Sequence, residues 1–298
     1  MKKLFTIISL IIVATLVLTA CGGVPKAKDL LTEIKNRGTI VSSTDPNYEP
    51  MSFLNTEGKR PADTKCPSDT LTTAEMQGFD VDVAVEIGKR LGVETCFATP
   101  SWDLVTAGSW ADKWDISVGS MTITPTRQKV MEFMTPYYYT PAVVAARNDS
   151  GITSLADLAG KAICVAISTT YESWLNGTLD LPAASIYAQP PAGVKVVLLE
   201  SDAECAQALA VGRKDFVAYV TSGTVIDANI AAGMPMVKIG KTVFSEDLSV
   251  AIDKSHSLPI ATLVAAIDTI VKDMHADGTL TQFSMKWYQA DLTQAPNQ

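Results

Sequence analysis

Residues 115–127 read DISVGSMTITPTR and predict a buried strand, a short polar loop and the beginning of a helix. The strand is expected over Asp115–Val118, where apolar side chains follow the first acid. Thr124 and Pro125 suit the N-cap and the first position of the helix, which places Arg127 in its first turn. A cation in that turn opposes the helix dipole, so helix stability does not explain this arginine.

Strands and helices alternate on both sides of this stretch. Thr39–Ser43 is typical of a buried strand, and the apolar residues of Asp80–Leu91 have helical spacing up to Gly92. Two capping-box signatures, Thr169-x-x-Glu172 and Ser201-x-x-Glu204, predict further helices. This alternation predicts an α/β fold with mainly parallel sheets. The other predicted elements are strands at 142–146, 162–167, 194–199 and 216–220 and two C-terminal helices around 263–274 and 280–287.

The N-terminal segment predicts export. Lys2 and Lys3 precede an uncharged apolar run over residues 4–20, which small residues and Cys21 bring to an end. This arrangement predicts a signal peptide over 1–20, and its ending resembles the bacterial lipobox, in which the cysteine is lipidated. Residues 21–37 are then expected to tether an extracytoplasmic protein to a membrane by its N-terminal lipid. A retained membrane anchor is the alternative.

The charge of the chain argues against a nucleic-acid partner. Its 24 Lys and Arg against 32 Asp and Glu give a net charge of −8, and removal of Lys2 and Lys3 changes −8 to −10. Nucleic-acid binding needs clustered basic residues instead. We also find no G-x-S-x-G, H-E-x-x-H, P-loop or G-x-G-x-x-G motif, so the sequence predicts no catalytic residue and no cofactor.

The cysteines after Cys21 are even in number, which in an exported chain predicts two disulfides with three possible connectivities. Buried free thiols are the alternative. No pair has the spacing of zinc ligands, and His256 and His275 lie far from any cysteine, so no metal site is predicted. These cysteines are Cys66, Cys96, Cys164 and Cys205.

Four blocks of the sequence are informative through their order and spacing. They read STDPNYEP at 43–50 with GFDVD at 78–82, WD at 102–103 with the stretch at 115–127, DLAGK at 157–161 with STTYE at 168–172, and ADGTL at 276–280 before Trp287. Together they resemble the type II periplasmic amino-acid-binding proteins, solute-binding protein family 3, from about Leu31 to Trp287. Each block alone carries little weight, and the combination is specific.

The resemblance implies two lobes, each a mostly parallel sheet flanked by helices, which two strand crossovers join and which close on a ligand. Lobe one would comprise 38–139 and 245–298, and lobe two 140–244. The implied function is that of a monomer that captures a small carboxylate-bearing solute, in the first place an amino acid, for the membrane subunits of an ABC importer. On this map Cys66 pairs with Cys96 and Cys164 with Cys205, because pairing within lobes leaves the hinge free.

The resemblance also implies the ligand contacts. Arg127 would bind the carboxylate through its bidentate fork, opposite the N-terminus of a helix in lobe two. Thr169 has an alternative role as the cap of that helix, and the orientation of Tyr171 is left open. Tyr48 and Trp102 would cover the ligand with their rings. The remaining implied contacts are Gly119, Ser120 and Thr122 from lobe one and Ser168, Thr169, Thr170 and Tyr171 from lobe two.

One position departs from the family pattern. The family's acid for the ligand's α-amino group stands five residues after the aspartate of Gly-Arg-x-Asp, and here that residue is Val220. A buried ammonium without a counter-charge is costly. Either Glu49, Glu172 or hydroxyl groups bind the α-amino group in place of the missing acid, or the ligand has no amine at this position. The last option leaves open a cyclohexadienyl dehydratase-like enzyme in which Glu172 acts as the acid. A ligand-sensing binding protein is a further alternative.

Overall fold

The computed structural model describes residues 27–295, so the predicted signal peptide and the lipidation at Cys21 lie outside them. Over this range no helix has the length and apolar character needed to cross a membrane. The helices are α1 Leu30–Arg37, α2 Phe79–Leu91, α3 Trp102–Thr106, α4 Thr170–Leu175, α5 Asp202–Ala210, α6 Gly223–Ala231, α7 Ala261–Ala276 and α8 Thr279–Tyr288. The strands are β1 Thr39–Ser43, β2 Asn47–Tyr48, β3 Ser52–Leu54, β4 Leu71–Thr72, β5 Met76–Gln77, β6 Glu94–Ala98, β7 Ile116–Thr122, β8 Met131–Phe133, β9 Tyr138–Arg147, β10 Ala162–Ala166, β11 Lys195–Leu199, β12 Ala218–Ser222 and β13 Met236–Asp253.

The main sheet has the strand order β11-β10-β12-β9-β13-β7-β1-β6-β4, with β8 paired to β13. Strands β10, β11 and β12 are parallel on one side, and β1, β6 and β7 are parallel on the other. The long strands β9 and β13 pair with each other in antiparallel fashion and join the two sides. The predicted α/β class is confirmed, and β9 and β13 are the two crossovers. The predicted lobe boundaries, 139/140 and 244/245, fall inside these two strands and stay a prediction.

Each side of the sheet has its own apolar core. In lobe one, Phe79 and Ile87 of α2 and Ile267 of α7 pack with residues of β1 and β7 and are fully buried. In lobe two, Trp174 of α4 packs with Phe244 and with apolar residues of β9, β10 and β12. Burial of a large apolar side chain contributes about 1.5–3 kcal/mol, so each lobe is stabilised by its own packing.

The helix predicted after Pro125 is wrong. The chain makes only a 3₁₀ turn, Arg127–Lys129, although the Thr124 hydroxyl accepts the Arg127 N–H at 3.1 Å as a cap would. Directly afterwards β8 pairs with β13, and this tertiary pairing ends the turn. Strand β7 is also longer than predicted, and it includes Gly119, Ser120 and Thr122, which were expected in a loop.

Each disulfide joins two segments of the same lobe, one bond in lobe one and the other in lobe two. Cys66–Cys96 ties the irregular segment after β3 to β6, with 5.5 Å between the Cα atoms. Cys164–Cys205 ties β10 to α5, with 5.8 Å between the Cα atoms. The pairing is the one that the two-lobe map predicts, and neither bond links the lobes.

Replacing Cys66 and Cys96 by serine is expected to lower the free energy of unfolding by roughly 3–4 kcal/mol. The bond joins residues 30 positions apart, and the unfolded chain gains freedom when it is removed. Urea unfolding of the ligand-free protein measures this change. Ligand affinity should stay the same, because neither cysteine lines the cleft. Free thiols in the native wild type, or an unchanged unfolding free energy, would argue against the bond.

Candidate functional site

A cleft between the two lobes collects most of the predicted ligand residues. Nine of the ten line it, and the tenth, Ser168, contributes a carbonyl oxygen to Arg127 instead. The lining residues from lobe one and the crossovers are Asp45, Tyr48, Trp102, Gly119, Ser120, Thr122, Arg127 and Glu246, and those from lobe two are Ala166, Thr169, Thr170, Tyr171, Glu200, Ser201 and Asp202.

Arg127 is a buried cation that reaches across the cleft. Its two terminal nitrogens donate to the carbonyl oxygens of Thr122 at 3.1 Å and of Ser168 at 3.2 Å. Its guanidinium lies over the Trp102 ring, 5.6 Å from the centroid. Burial lowers the pKa of the Arg127 guanidinium to about 10, and the charge of Glu246 opposes that shift. The group therefore stays charged at neutral pH and leaves donors for an anion.

Two serines with left-handed backbone conformation stand on opposite sides of the cleft. Ser120 has φ +54° in lobe one, and Ser168 has φ +61° in lobe two. Residues other than glycine rarely adopt this conformation, and such strain concentrates at ligand sites. In lobe two, the carbonyl oxygen of Ser168, the residue with this conformation, accepts the hydrogen bond from Arg127. Backbone strain thus occurs at both edges of the same cleft.

A buried network holds the Ser120 segment from the side of the lobe-one core. Ser120 donates its hydroxyl to Asp80 at 2.6 Å and its N–H to the Tyr137 oxygen at 3.0 Å. Tyr137 donates to Asp80 at 2.8 Å, and Tyr138 donates to the Ser120 hydroxyl at 2.6 Å. Burial raises the pKa of the Asp80 carboxyl to about 7, while its two hydroxyl donors lower it. Both Ser120 donors are used within the protein, and its contact with a ligand stays a prediction.

The N-terminus of α4 faces the cleft with a modified capping box. Thr169 accepts the Glu172 N–H at 3.1 Å, as predicted, and its side chain caps the helix. The Glu172 carboxylate accepts the N–H of Ser168 at 2.6 Å, one residue before the position that the motif predicts. Glu172 does not line the cleft, and Glu49 is exposed and outside it. Neither acid that the sequence offered for the α-amino group is therefore in place for that role.

Glu246 is a site residue that sequence reasoning missed. It is 1% exposed, and its carboxylate accepts hydroxyl hydrogen bonds from Thr122 at 2.6 Å, Thr170 at 2.5 Å and Tyr171 at 2.7 Å. These donors come from both lobes. Burial raises the pKa of the Glu246 carboxyl, while the three hydroxyls and the Arg127 charge oppose the shift. The open orientation of Tyr171 is also resolved, since its hydroxyl is directed at this acid.

Asp202 is the second acid that the sequence did not single out. It is 7% exposed, at the first position of α5, and its Oδ1 has no hydrogen-bond partner. Burial raises the pKa of the Asp202 carboxyl to about 7; the nearby Thr221 hydroxyl lowers it, and the charges of Asp45 and Glu246 raise it further. Acids are common in the first turn of a helix, so the position of Asp202 in the sequence does not indicate a cleft residue.

Comparison with known proteins agrees with this architecture. The model of the bacterial extracellular solute-binding proteins, family 3, matches residues 40–290. The L-cystine-binding protein TcyJ of Escherichia coli (strain K12) is 29% identical over 266 residues, which cover 89% of this chain and 88% of that protein. The L-cystine-binding protein TcyA of Bacillus subtilis (strain 168) is 25% identical over 299 residues, covering 98% of this chain and 99% of that protein.

Two solved structures have the same fold. A P235GK mutant of ArgBP from T. maritima superposes with a TM-score of 0.70 at 25% identity and covers 87% of this chain and 99% of its own. The ancestral amino acid-binding protein AncCDT-1, described as a precursor of cyclohexadienyl dehydratase, gives 0.69 at 28% identity over 87% of this chain and 99% of its own. The similarity therefore extends over both lobes.

Proposed function

Because this chain belongs to the bacterial extracellular solute-binding proteins, family 3, we propose that its cleft captures a free amino acid for an ABC importer. Its relatives include L-cystine-binding proteins, and a solved neighbour is described as an amino acid-binding protein. The protein is proposed to work outside the cytoplasm as a monomer anchored through a lipid on Cys21. Mass spectrometry of the membrane-bound protein would detect that lipid.

The observation that carries this proposal is the pair of buried opposite charges, Arg127 and Glu246. Thr122 connects them, since its carbonyl oxygen accepts from Arg127 at 3.1 Å and its hydroxyl donates to Glu246 at 2.6 Å. An amino acid carries a carboxylate and an ammonium on one carbon atom and so needs one partner of each sign at close range. Arg127 would take the carboxylate through its fork, and Glu246 would take the ammonium. Glu246 would thus replace the acid absent at Val220.

The same contacts explain how binding would favour closure of the lobes. Arg127 and Thr122 belong to lobe one, whereas Ser168 and Thr170 belong to lobe two, and hydrogen bonds already join the two sets. A ligand that contacts both sets interacts more strongly with the closed arrangement than with an open one. It therefore shifts the population toward the closed state, which an importer can distinguish from the free protein.

Binding without catalysis is the function that we favour. The dehydratase alternative needs an acid directed at the substrate, and Glu172 is outside the cleft lining with its carboxylate on the Ser168 N–H. Glu246 is within the cleft, but both of its carboxylate oxygens already accept hydroxyl hydrogen bonds, and these donors together with the Arg127 charge oppose the rise of its pKa that burial causes.

A thermal-shift screen of the chain without residues 1–21 tests the proposed function. We expect at least one L-amino acid to raise the melting temperature, because a ligand at a hundred times its Kd stabilises by about 2.7 kcal/mol. The corresponding amine, which lacks the carboxylate, should have no effect at the same concentration. If no amino acid shifts the transition, or if the amine works equally well, the proposed function is wrong.

A further inference from the structure

Acidic side chains around the cleft outnumber the cations. Among the described residues that line it, Arg127 is the only Lys, Arg or His, and four acids face it. In the proposed function, a bound amino acid would place its carboxylate on Arg127 and its ammonium near Glu246. Three further acids, Asp45, Glu200 and Asp202, then remain beside a ligand that has used both of its charges.

Asp202 is the acid among these that most needs a partner. Glu200 is exposed and Asp45 is only partly buried, so water can solvate both. Asp202 is 7% exposed, and its Oδ1 is buried without a hydrogen bond. Most buried polar atoms in proteins have at least one hydrogen-bond partner. The Thr221 hydroxyl beside it is also buried and unpartnered. Thr221 does not line the cleft, so the acceptor that the cleft wall offers at this point is the Asp202 carboxylate.

A second chamber adjoins this part of the cleft. Its volume is about 310 Å³, and it shares Asp45, Trp102, Glu200 and Ser201 with the cleft. Glu204 adds another acid, and no basic residue lines it among those described. The buried hydroxyls without a hydrogen-bond partner on its wall are those of Ser43, Thr44 and Ser117. The space beyond the α-carbon site is therefore polar and negatively charged.

We propose that the ligand carries a second cationic nitrogen, remote from its α-carbon, and that Asp202 binds this nitrogen. This specificity rests on the proposed function, because it assumes that Arg127 and Glu246 hold the α-carboxylate and the α-ammonium. The second nitrogen would donate to the Oδ1 of Asp202, which has no hydrogen-bond partner within the protein. An amino acid with a basic side chain has this chemistry, whereas a two-headed amino acid would also bring a second carboxylate, for which neither lining offers a cation besides Arg127 among the described residues.

Calorimetry with matched ligands tests the role of Asp202. L-Lysine and L-ornithine represent the basic type, L-cystine represents the two-headed type, and L-norleucine and L-methionine are neutral references of similar length. We expect the wild type to bind a basic amino acid at least about tenfold more tightly than the neutral references. Asp202→Asn should weaken that ligand by about thirty-fold or more and leave neutral ligands within about threefold, since only the cation loses a buried charge partner. Tighter binding of L-cystine than of both basic amino acids would contradict the proposed role of Asp202.

Two further measurements distinguish the loss of a ligand contact from a structural effect of Asp202→Asn. The ligand-free Asp202→Asn protein should melt at the wild-type temperature or above it, because a buried unpaired charge has been removed. Glu57→Gln removes an equal charge from an exposed site outside the cleft and should change no affinity. Equal weakening of all ligands in Asp202→Asn, or tightest binding of a neutral amino acid by the wild type, would overturn the role of Asp202 alone. Absence of binding by any amino acid would overturn the proposed function as well.

Discussion

Arg127→Ala is expected to weaken amino-acid binding by about thirty-fold to several-thousand-fold, with the fold intact. Loss of one partner of a buried charge pair costs roughly 2–5 kcal/mol, and each ~1.4 kcal/mol is a factor of ten in Kd. Arg127 is 8% exposed and its guanidinium makes no ion pair of 4 Å or less within residues 27–295, so a ligand carboxylate would be its first close anionic partner. Calorimetry with the amino acid that the thermal-shift screen identifies measures the change.

Two further variants show whether the fork geometry or only the charge matters. Arg127→Lys should restore only part of the affinity, because a point charge cannot form two parallel hydrogen bonds or lie flat on Trp102. Arg213→Ala is the matched control, since Arg213 also lies over an aromatic ring, Phe216 at 5.7 Å, but is on the surface with Asp215. It should leave binding unchanged. Unchanged affinity in Arg127→Ala would contradict the assignment of the site.

The sequence predicts those features that depend on local patterns. The buried strand Thr39–Ser43, the helix ending at Gly92 and the cap at Thr169 appear in the structure where periodicity and capping residues place them. Arg127 could be selected because the family resemblance implies a carboxylate-binding arginine at this position, whereas the helix dipole that also singled it out belongs to a helix that does not form. The disulfide pairs also follow, once the chain is divided into two lobes.

Other features depend on contacts between segments that are far apart in the sequence, and no local sequence pattern indicates such contacts. Glu246 meets Thr122 and Thr170 across 124 and 76 residues of sequence, and only the crossing of β13 between the lobes brings them together. The helix expected after Pro125 fails because pairing of β8 with β13 competes with it. The left-handed conformation of Ser120 is equally hidden, since glycine is the residue that normally indicates it.

The departure at Val220 is explained by the same long-range packing. Val220 is fully buried in the lobe-two core, so an acid at this position would have to leave that core to reach a ligand. The negative charge of the cleft comes instead from the crossover strand, at Glu246, and from the N-terminus of α5, at Asp202. An acid can thus stand on a different element of the same fold and still line the cleft together with the arginine.

Glu246→Gln is the second substitution with a large expected effect. Glutamine keeps the size of the side chain and a carbonyl oxygen but loses the charge that would hold the α-ammonium. We expect amino-acid affinity to fall by about thirty-fold or more, because the ammonium would be buried without a counter-charge. The 2-hydroxy acid of the same side chain should lose much less, since it carries no ammonium. The preference of the wild type for the amino acid over the hydroxy acid should therefore largely disappear.

Asp247→Asn is the control for Glu246→Gln. It shows whether a change of charge in the crossover strand is by itself enough to alter ligand affinity. Asp247 is the next residue of β13 and is exposed, whereas Glu246 is 1% exposed and in contact with both lobes. Removing the Asp247 charge should leave both affinities unchanged, because solvent screens it. If Glu246→Gln weakens the amino acid and the hydroxy acid equally, Glu246 only positions Thr122, Thr170 and Tyr171, and the ammonium is held elsewhere. If neither affinity changes, the pairing of Arg127 and Glu246 around one α-carbon is wrong.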